Sequence, residues 1–372
     1  MAYIHENQGW PELTWDSETL AAPLAAVRHK QGRLLGKMES LGFDIRSEAS
    51  LSVLTADVVK SSAIEGETLD PEEVRSSIAR RLGLDVAGLP KASRNVDGIV
   101  EMMLNATQDF SAELTDERLF GWHAALFPTG RSGMSRIAVG QWRPEEAGAM
   151  QVVSGPIGHE KVHFEAPVAE RLESEMSRFI AWFNTPPTID PVLKAGIAHF
   201  WFVTIHPFED GNGRIARAIA DMALARADGT KDRFYSMSSQ IEVERKEYYQ
   251  KLEAAQRGDL DITPWLSWFL DCLGRAIDGT EQGLAGVLNK ARLWERINQR
   301  PVNDRQRLVI NRMLNGFEGF LTTSKYAKLA KCSTDTALRD IQELLERGIV
   351  LANPGGGRST SYRLAEPDNV TA

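Results

Sequence analysis

Hydrophobic residues recur at intervals of three and four along most of the chain, while strict alternation of apolar and polar residues is rare. Such spacing collects the apolar side chains on one face of a helix. One instance covers residues 20–41 and ends at Gly42, and a second precedes Gly66. Pro71 predicts the start of another short helix, because proline is favoured at the first helical position. The pattern therefore predicts a mainly α-helical protein from about residue 17 to residue 350.

Residues 129–167 break the helical pattern, because glycine and proline recur among them at short intervals. Two short apolar stretches remain, Met150–Val153 and Val162–Phe164, which we interpret as the strands of a hairpin. His159 and His163 lie in this region and are expected at the surface. Helices resume at about Val168 and continue to about residue 291.

The chain beyond Pro301 predicts three short helices and a glycine-rich hairpin, a succession typical of a winged helix-turn-helix. Thr334–Arg347 is the candidate recognition helix, and residues 355–358 form the tip of the wing. Basic residues exceed acidic ones here, which favours DNA binding, but four acidic residues on the candidate recognition helix oppose it. Contact with DNA, docking of a protein and formation of a homodimer all stay open.

Composition restricts the class of protein only loosely. Hydrophobic residues make up 42% and charged residues 25% of the 372 residues, as in ordinary globular proteins. A net charge of −8 excludes a protein whose whole surface binds nucleic acid by charge. The two cysteines, Cys272 and Cys332, are too far apart for a zinc cluster and are both expected to be buried. Without a secretory signal or a long apolar stretch, the sequence predicts a cytoplasmic protein with no membrane partner.

The chemistry is concentrated in residues 205–217, which lie between two apolar helices. Gly211, Asn212 and Gly213 open the second helix, so backbone N–H groups and the positive end of the helix dipole form a phosphate cradle. Arg214 and Arg217 project from the first turn on one side, as a di- or triphosphate would require. Asp210 supplies an oxygen ligand for Mg²⁺ shared with phosphates. His206, with an ordinary pKa near 6.5, suits a general base.

This segment resembles the Fic motif, HPFx[DE]GNGRxxR, at every fixed position. The resemblance implies a helical Fic fold and transfer of AMP from ATP to a Ser, Thr or Tyr hydroxyl of a target protein, which can be the protein itself. It implies His206 as the base and Asp210 as the ligand of Mg²⁺. The phosphates would be held by Gly211, Asn212, Gly213 and Arg214, with Arg217 at the γ-phosphate.

A second feature resembles the inhibitory motif [ST]xxxE[GN] of the Fic family, at Ser61-Ser62-Ala63-Ile64-Glu65-Gly66. Its position upstream of the catalytic motif is that of the N-terminally autoinhibited subclass. The resemblance implies an ion pair between Glu65 and Arg217 that fills the space of a productive γ-phosphate, with Ser61 positioning the helix. A carboxylate that competes with a phosphate for one guanidinium is a switch.

Two further site elements follow from the resemblance. The hairpin corresponds to the Fic flap that docks the extended backbone of a target, here at Gln151, Val152, Val153 and Ser154, with residues 140–143 as a neighbouring equivalent. A tyrosine pair, Tyr248-Tyr249, corresponds to tyrosines beside the nucleotide. A stacked tyrosine suits adenine, but a buried core tyrosine fits the same pattern.

The predicted organisation is a helical region with the inhibitory helix at residues 1–94, a Fic core at 95–290 and a winged helix-turn-helix at 300–365. The fold class is mainly α, with the flap and the wing as the β elements. The expected activity is that of a protein adenylyltransferase that uses ATP and Mg²⁺ and is inhibited by Glu65. Alternatives are a DNA-binding regulator that senses nucleotide and a Fic enzyme that removes AMP.

Overall fold

The structure is a computed structural model that describes residues 3–39, 41, 43–84, 89–154, 159, 161–314, 319–354 and 360–365. Within those residues it contains fourteen α-helices and three small β-sheets, so the mainly α prediction is confirmed. The chain forms two compact units, Met1–Glu281 and Gln282–Ala372. No helix among the described residues has the length and apolarity needed to cross a bilayer.

The helices run in chain order as follows: α1 (Ser17–Glu39), α2 (Phe43–Ile64), α3 (Pro71–Arg81), α4 (Arg94–Gln108), α5 (Asp116–Leu126), α6 (Leu172–Asn184), α7 (Pro191–Ile205), α8 (Asn212–Asp228), α9 (Met237–Val243), α10 (Arg245–Gln256), α11 (Thr263–Gln299), α12 (Asp304–Leu314), α13 (Thr323–Leu329) and α14 (Thr334–Glu346). The strands are β1 (Arg131–Ser132), β2 (Ser135–Arg136), β3 (Gln151–Ser154), β4 (Lys161–Glu165), β5 (Leu321–Thr322), β6 (Val350–Ala352) and β7 (Ser361–Leu364).

Helix boundaries follow local chemistry. The Asp70 side chain accepts a hydrogen bond from Glu72 N, and Pro71 occupies the first position of α3, as the sequence predicts. Asp190 and Pro191 begin α7 in the same way. Gly66 ends α2 with a φ of +85°, a left-handed conformation that glycine adopts without steric cost.

The core of the first unit is built on α7 and α8. Residues 192–205 of α7 are all buried, and this helix packs along α8. Trp265 of α11 donates to the carbonyl oxygen of Gly196 at 2.9 Å, and Phe269 packs against the same glycine. Trp265, Trp268 and Phe269 are buried, as their helical spacing predicts. The loop between α7 and α8 is therefore carried by the most rigid part of the molecule.

The structure differs from the sequence analysis at three places. Helix α2 begins at Phe43 rather than near residue 47, and α11 continues to Gln299 rather than ending near residue 291. An unpredicted two-residue ladder joins β1 and β2 through a turn at Gly133, which has a φ of +55°. A ladder this short contains no alternating pattern that could reveal it.

The second unit contains α12 to α14 and an antiparallel sheet in the order β5-β7-β6. The predicted wing tip at 355–358 lies outside the described residues, and the winged-helix interpretation stays a prediction. Asp340 is one of the four acidic residues of the candidate recognition helix that were counted against DNA contact. It is buried, where it accepts hydrogen bonds from Asn303, Arg305 and Tyr326.

Two expectations about the second unit need correction. Arg347, counted as a basic surface residue, is 8% exposed and donates to backbone carbonyl oxygens of Ile297 and Arg300. Cys332 was expected to be buried like Cys272 but is only partly covered, because it lies in the turn between α13 and α14.

Candidate active site

The loop between α7 and α8 presents His206 in a left-handed conformation, with φ +53° and ψ +57°. Few residues other than glycine adopt this conformation, so the surrounding contacts must hold it. Arg143, which is 2% exposed, supplies them by donating from Nε to His206 O and from its backbone N–H to Pro207 O, both at 2.9 Å. The backbone strain thus aims the histidine side chain in one direction.

The tautomer of His206 follows from its hydrogen bond. Nδ1 lies 3.1 Å from the carbonyl oxygen of Val203, which can only accept, so Nδ1 carries the proton. Nε2 therefore keeps its lone pair for a substrate proton. Burial lowers the pKa of His206 to about 4, well below the ordinary value expected from the sequence. At neutral pH the imidazole is uncharged and able to accept a proton.

The rest of the loop is fixed from two sides. The Asn212 side chain donates to Phe208 O at 2.8 Å and accepts from Phe208 N at 3.0 Å. The side-chain amide thus closes the loop, and contact of Asn212 with phosphates through its backbone N–H stays a prediction. The Phe208 ring is fully buried and stacks on His123 of α5 at 4.2 Å.

His123 is a site residue that sequence reasoning missed. Its Nε2 lies 3.2 Å from the carbonyl oxygen of Asp210, and its Nδ1 lies 3.2 Å from the backbone N–H of Gly140. The carbonyl requires Nε2–H and the N–H requires an unprotonated Nδ1, so one neutral tautomer serves both. Burial lowers the pKa of His123 to about 4, consistent with that neutral form. Nothing local in the sequence marks it, since a histidine on an apolar helix face is usually a core residue.

Helix α8 begins at Asn212, so the N–H groups of its first turn have no acceptor within the helix. Gly211 has a φ of +83°, and a Cβ there would lie 2.9 Å from the Phe127 ring. Asp210 flanks this helix end, where Oδ1 accepts from Gly211 N at 2.6 Å and Oδ2 accepts from the Ser132 hydroxyl. The structure therefore brings the predicted cradle and the predicted metal ligand together.

The two arginines of the motif are buried and face carboxylates from the end of α2. Arg217, 2% exposed, donates from Nη2 to Glu65 Oε1 at 2.8 Å and from Nε to Ser61 Oγ at 2.9 Å. Burial alone would lower the pKa of Arg217, but the Glu65 carboxylate raises it above its usual value. The contact that the resemblance implies between Glu65 and Arg217 is present, while an inhibitory role stays a prediction.

A second carboxylate, Glu67, was not singled out by the sequence analysis. Its Oε2 lies 2.7 Å from Nη1 of Arg214, which is 3% exposed and lies over the Phe127 ring at 5.2 Å. The left-handed Gly66 turns the chain back, with Glu67 N donating to Ser62 O at 3.0 Å, so that both glutamates face the same helix. Gly66 is the sequence feature that could have indicated this contact. If the helix continued past Gly66, it would separate the side chains of Glu65 and Glu67.

Some hydrogen-bonding groups at this site have no partner. Among the described residues, Arg214 Nε and Arg217 Nη1 are buried and make no hydrogen bond. Buried donors of this kind are rare in folded proteins and usually mark a missing ligand or water. The two orphaned guanidinium nitrogens fit an anion with several acceptor oxygens.

The predicted adenine-binding pair divides between core and surface. Tyr248 is 1% exposed, and its hydroxyl lies 3.0 Å from His199 Nε2, so its ring belongs to the core. Tyr249 is 37% exposed, and its hydroxyl donates to Ile64 O, next to Glu65, at 3.4 Å. Only Tyr249 of this pair offers a ring face to a ligand.

The flap is a two-stranded antiparallel sheet in which Gln151 to Ser154 pair with Glu165 to Lys161, with a bulge between Val152 and Val153. Val153 is 48% exposed, and β3 has one unpaired edge in the part of the chain that the structure describes. His163 was expected to be a free surface residue. It instead contacts Glu253 of α10, with Nδ1 2.7 Å from the carboxylate.

Comparison with known proteins places these features in a family. Residues 113–224 match the sequence profile of the Fic/DOC family, and residues 3–84 match a domain of unknown function, DUF4172. Among curated proteins, the protein adenylyltransferase Fic of Nematostella vectensis is 27% identical over 233 residues, covering 59% of this chain and 47% of the relative. The protein adenylyltransferase fic-1 of Caenorhabditis elegans is 33% identical over 205 residues, covering 55% and 37%. The chain spans less than half the length of these relatives.

Solved structures show the same fold. A Fic family protein from Desulfovibrio desulfuricans G20 superposes with a TM-score of 0.56 at 22% identity, over 96% of this chain and 98% of that one. A Fic domain containing signaling protein from Bacteroides thetaiotaomicron VPI-5482 gives a TM-score of 0.52 at 20% identity, over 70% and 97%. The solved structures thus share the helical fold of this chain, and residues 113–224, which contain the histidine loop and most of the arginine helix, are similar to the Fic/DOC family.

Proposed function

We propose that this protein transfers AMP from ATP to a hydroxyl side chain of a target protein, with its own copies among the candidate targets. One observation carries the proposal: an oriented, uncharged His206 and two buried arginines with orphaned nitrogens lie on a single rigid loop and helix. The names of the curated relatives, protein adenylyltransferases, agree with this reaction.

The triphosphate would lie at the first turn of α8. The backbone N–H groups of Asn212 and Gly213 have no acceptor within the helix there, the Gly211 N–H would have to leave Asp210 Oδ1 to join them, and Arg214 and Arg217 would supply the orphaned Nε and Nη1 to phosphate oxygens. By the family pattern Arg217 would reach the γ-phosphate. The exposed ring of Tyr249 is the better candidate of the tyrosine pair for adenine, since Tyr248 is closed into the core.

The proposed chemical step is one in-line substitution. His206 Nε2 takes the proton of the target hydroxyl, and the hydroxyl oxygen attacks the α-phosphorus of ATP. The bond between the α-phosphorus and the oxygen bridging to the β-phosphate breaks, and pyrophosphate leaves. The target's backbone would pair with the free edge of β3, at Gln151, Val152, Val153 and Ser154, because strand addition needs no particular side-chain sequence.

Mg²⁺ fits this site if the nucleotide shares in holding it. No cluster of three or more metal-ligating side chains exists among the described residues, but the Asp210 carboxylate lies at the mouth of the phosphate cradle. One carboxylate plus phosphate oxygens is a common arrangement for Mg²⁺. When bound, the ion would neutralise charge on the phosphates.

The contacts of α2 support autoinhibition by two carboxylates. Glu65 occupies Arg217, and Glu67 occupies Arg214, so both guanidinium groups are engaged before any phosphate arrives. A Cβ built on Gly213 would collide with Glu65 Oε1, so the carboxylate also fills space beside the cradle. Ser61 holds Arg217 toward Glu65, and Gly66 supplies the turn that brings Glu67 into place.

The test uses ATP labelled on the α-phosphate, Mg²⁺ and a cell lysate. We expect label on protein to be stronger with Glu65→Gly than with the wild type, and absent with Glu65→Gly combined with His206→Ala. In a parallel reaction with ATP labelled on the γ-phosphate, label on protein in that reaction alone would indicate phosphate transfer instead. If no variant labels any protein, itself included, the proposed function is wrong.

A second candidate function rests on charge. Residues 282–372 contain 14 Lys and Arg against 9 Asp and Glu, whereas residues 1–281 contain 29 against 42. The second unit is thus positive within an acidic protein, and DNA is a fitting partner for such a module. Arg339 is exposed on α14, and the burial of Asp340 removes one of the four acidic residues that opposed this function.

A further inference from the structure

A hydroxyl and an imidazole on the flap are aligned with a carboxylate on α10. Ser154 Oγ lies 2.6 Å from His163 Nε2, and His163 Nδ1 lies 2.7 Å from Glu253 Oε2. The three groups are in the order nucleophile, base and orienting acid. This order and these distances define a nucleophilic serine irrespective of fold.

The register of the hairpin explains how the first two groups meet. Ser154 pairs with Lys161, and His163 lies two residues further along β4. His163 is the unpaired residue of the bulge, between Val162, which pairs with Val153, and Phe164, which pairs with Val152, and a bulge of this kind redirects a side chain. Ser154 is exposed, so its hydroxyl can be reached by a reagent from solvent.

Helix α10 fixes the other end of the alignment. Arg257 donates from Nε and Nη2 to the carbonyl oxygens of His163 and Val162, both at 2.9 Å, and its Nε lies 3.4 Å from Glu253 Oε1. The guanidinium therefore anchors β4 and keeps the Glu253 carboxylate beside the imidazole. A carboxylate on Nδ1 selects the tautomer with a lone pair on Nε2, directed toward the Ser154 hydroxyl.

We propose that Ser154, His163 and Glu253 form a second nucleophilic site, at which Ser154 accepts a group from an electrophilic phosphorus compound. In the step, Ser154 Oγ forms a bond to phosphorus, the bond from phosphorus to the leaving group breaks, and the hydroxyl proton moves to His163 Nε2. The imidazolium that forms is stabilised by the Glu253 carboxylate. The site goes beyond AMP transfer, because His206, the arginines and the metal ligand take no part in it.

The test uses a fluorophosphonate carrying a fluorescent group, whose leaving group is fluoride. The intact protein is incubated with the probe near pH 7.5, and the modified peptide is identified by mass spectrometry. We expect one adduct, on Ser154, that is absent in Ser154→Ala. We expect His163→Gln to slow labelling by at least about 100-fold, the usual range for loss of a general base. Glu253→Gln should slow it as well.

Control variants distinguish activation of the Ser154 hydroxyl from its exposure to solvent and from changes in folding. Ser174 is an exposed serine whose hydroxyl donates only to a backbone carbonyl, so Ser174→Ala should leave labelling unchanged. Each variant is also checked for an unchanged circular dichroism spectrum and melting temperature. The proposal is overturned if the wild type does not react, if label persists in Ser154→Ala, or if a folded His163→Gln reacts at the wild-type rate.

Discussion

At the scale of single residues, the state of the phosphate site depends on which anions contact Arg214 and Arg217. Both guanidinium groups are buried and each keeps one carboxylate partner and one orphaned nitrogen. A buried arginine stays charged, so it must be neutralised either by the protein's own glutamates or by a ligand. Under the proposed function the two states compete, because the glutamates and the phosphates are anions that draw on the same two guanidinium groups.

We therefore expect Glu67→Gln, introduced into Glu65→Gly, to tighten ATP binding by roughly three- to tenfold, because a half-exposed ion pair of about 1 kcal/mol no longer competes. Isothermal titration calorimetry measures this without requiring turnover. The matched control is Glu48→Gln on α2, which removes an ion pair of 2.7 Å with Arg75 of α3. Equal affinities for the single and double variants would show that Glu67 does not compete with the nucleotide.

The uncharged state of His206 has a measurable consequence. Because burial lowers its pKa to about 4, the imidazole should show no titration between about pH 5.5 and pH 8. The measurement is the Cε1–H resonance in a proton NMR titration, assigned by its loss in His206→Gln. A midpoint near 6.5 for His206 would contradict the burial argument.

At the scale of elements, the loop between α7 and α8 is held by hydrogen bonds from neighbouring elements. Helix α5 contributes His123, which bonds the loop at Asp210 and the segment before the flap at Gly140. Arg143 bonds the loop from the other side. The loop, α5 and residues 138–143 therefore act as one hydrogen-bonded assembly.

We expect His123→Phe to lower the free energy of unfolding by about 2–4 kcal/mol. The phenyl ring can still stack on Phe208, but the carbonyl of Asp210 and the N–H of Gly140 each lose a buried partner, at about 1–3 kcal/mol apiece. Urea denaturation followed by tryptophan fluorescence measures the change. His29→Phe, at an exposed position, should change stability by less than about 0.5 kcal/mol. An equally small change for His123→Phe would refute its role as a link.

Periodicity and motif were sufficient to predict most helices, the flap hairpin and the residues gathered around His206. They failed where a partner distant in sequence decides the outcome. The low pKa of His206 depends on its burial, and its tautomer depends on the hydrogen bond to Val203. The Asn212 side chain closes the loop only because it bonds the backbone of Phe208. Glu67 reaches Arg214 only because Gly66 reverses the chain. Tyr248 and Tyr249 are adjacent in sequence, yet only packing separates the core ring from the exposed one.

At the scale of the whole molecule, charge is divided unevenly between the two compact units. The net charge of residues 1–281 is −13 and that of residues 282–372 is +5, which together give −8. Such asymmetry suits a protein that presents one module to a polyanion while the remainder stays free of it. Any DNA binding should then depend on salt.

We expect affinity for a 25-base-pair duplex, measured by fluorescence anisotropy, to fall at least about tenfold between 50 and 200 mM salt, as for two or more phosphate contacts. Arg339→Glu should weaken binding further, because it reverses an exposed charge on α14. Arg136→Glu, an exposed charge reversal in the first unit, is the control and should have little effect. If no binding is detected at 50 mM salt, the second unit does not bind DNA through its positive charge.

The pairing of Glu65 and Glu67 with the two arginines has a quantitative consequence. Both carboxylates are tethered beside their targets, so their effective concentration is a constant set by the fold, in the millimolar range or above for a short tether. ATP arrives from solution at whatever concentration the surroundings provide. Under the proposed autoinhibition, the protein contains its own reference concentration, and the fraction of molecules that can bind nucleotide reports the ratio of the surrounding ATP to that internal standard.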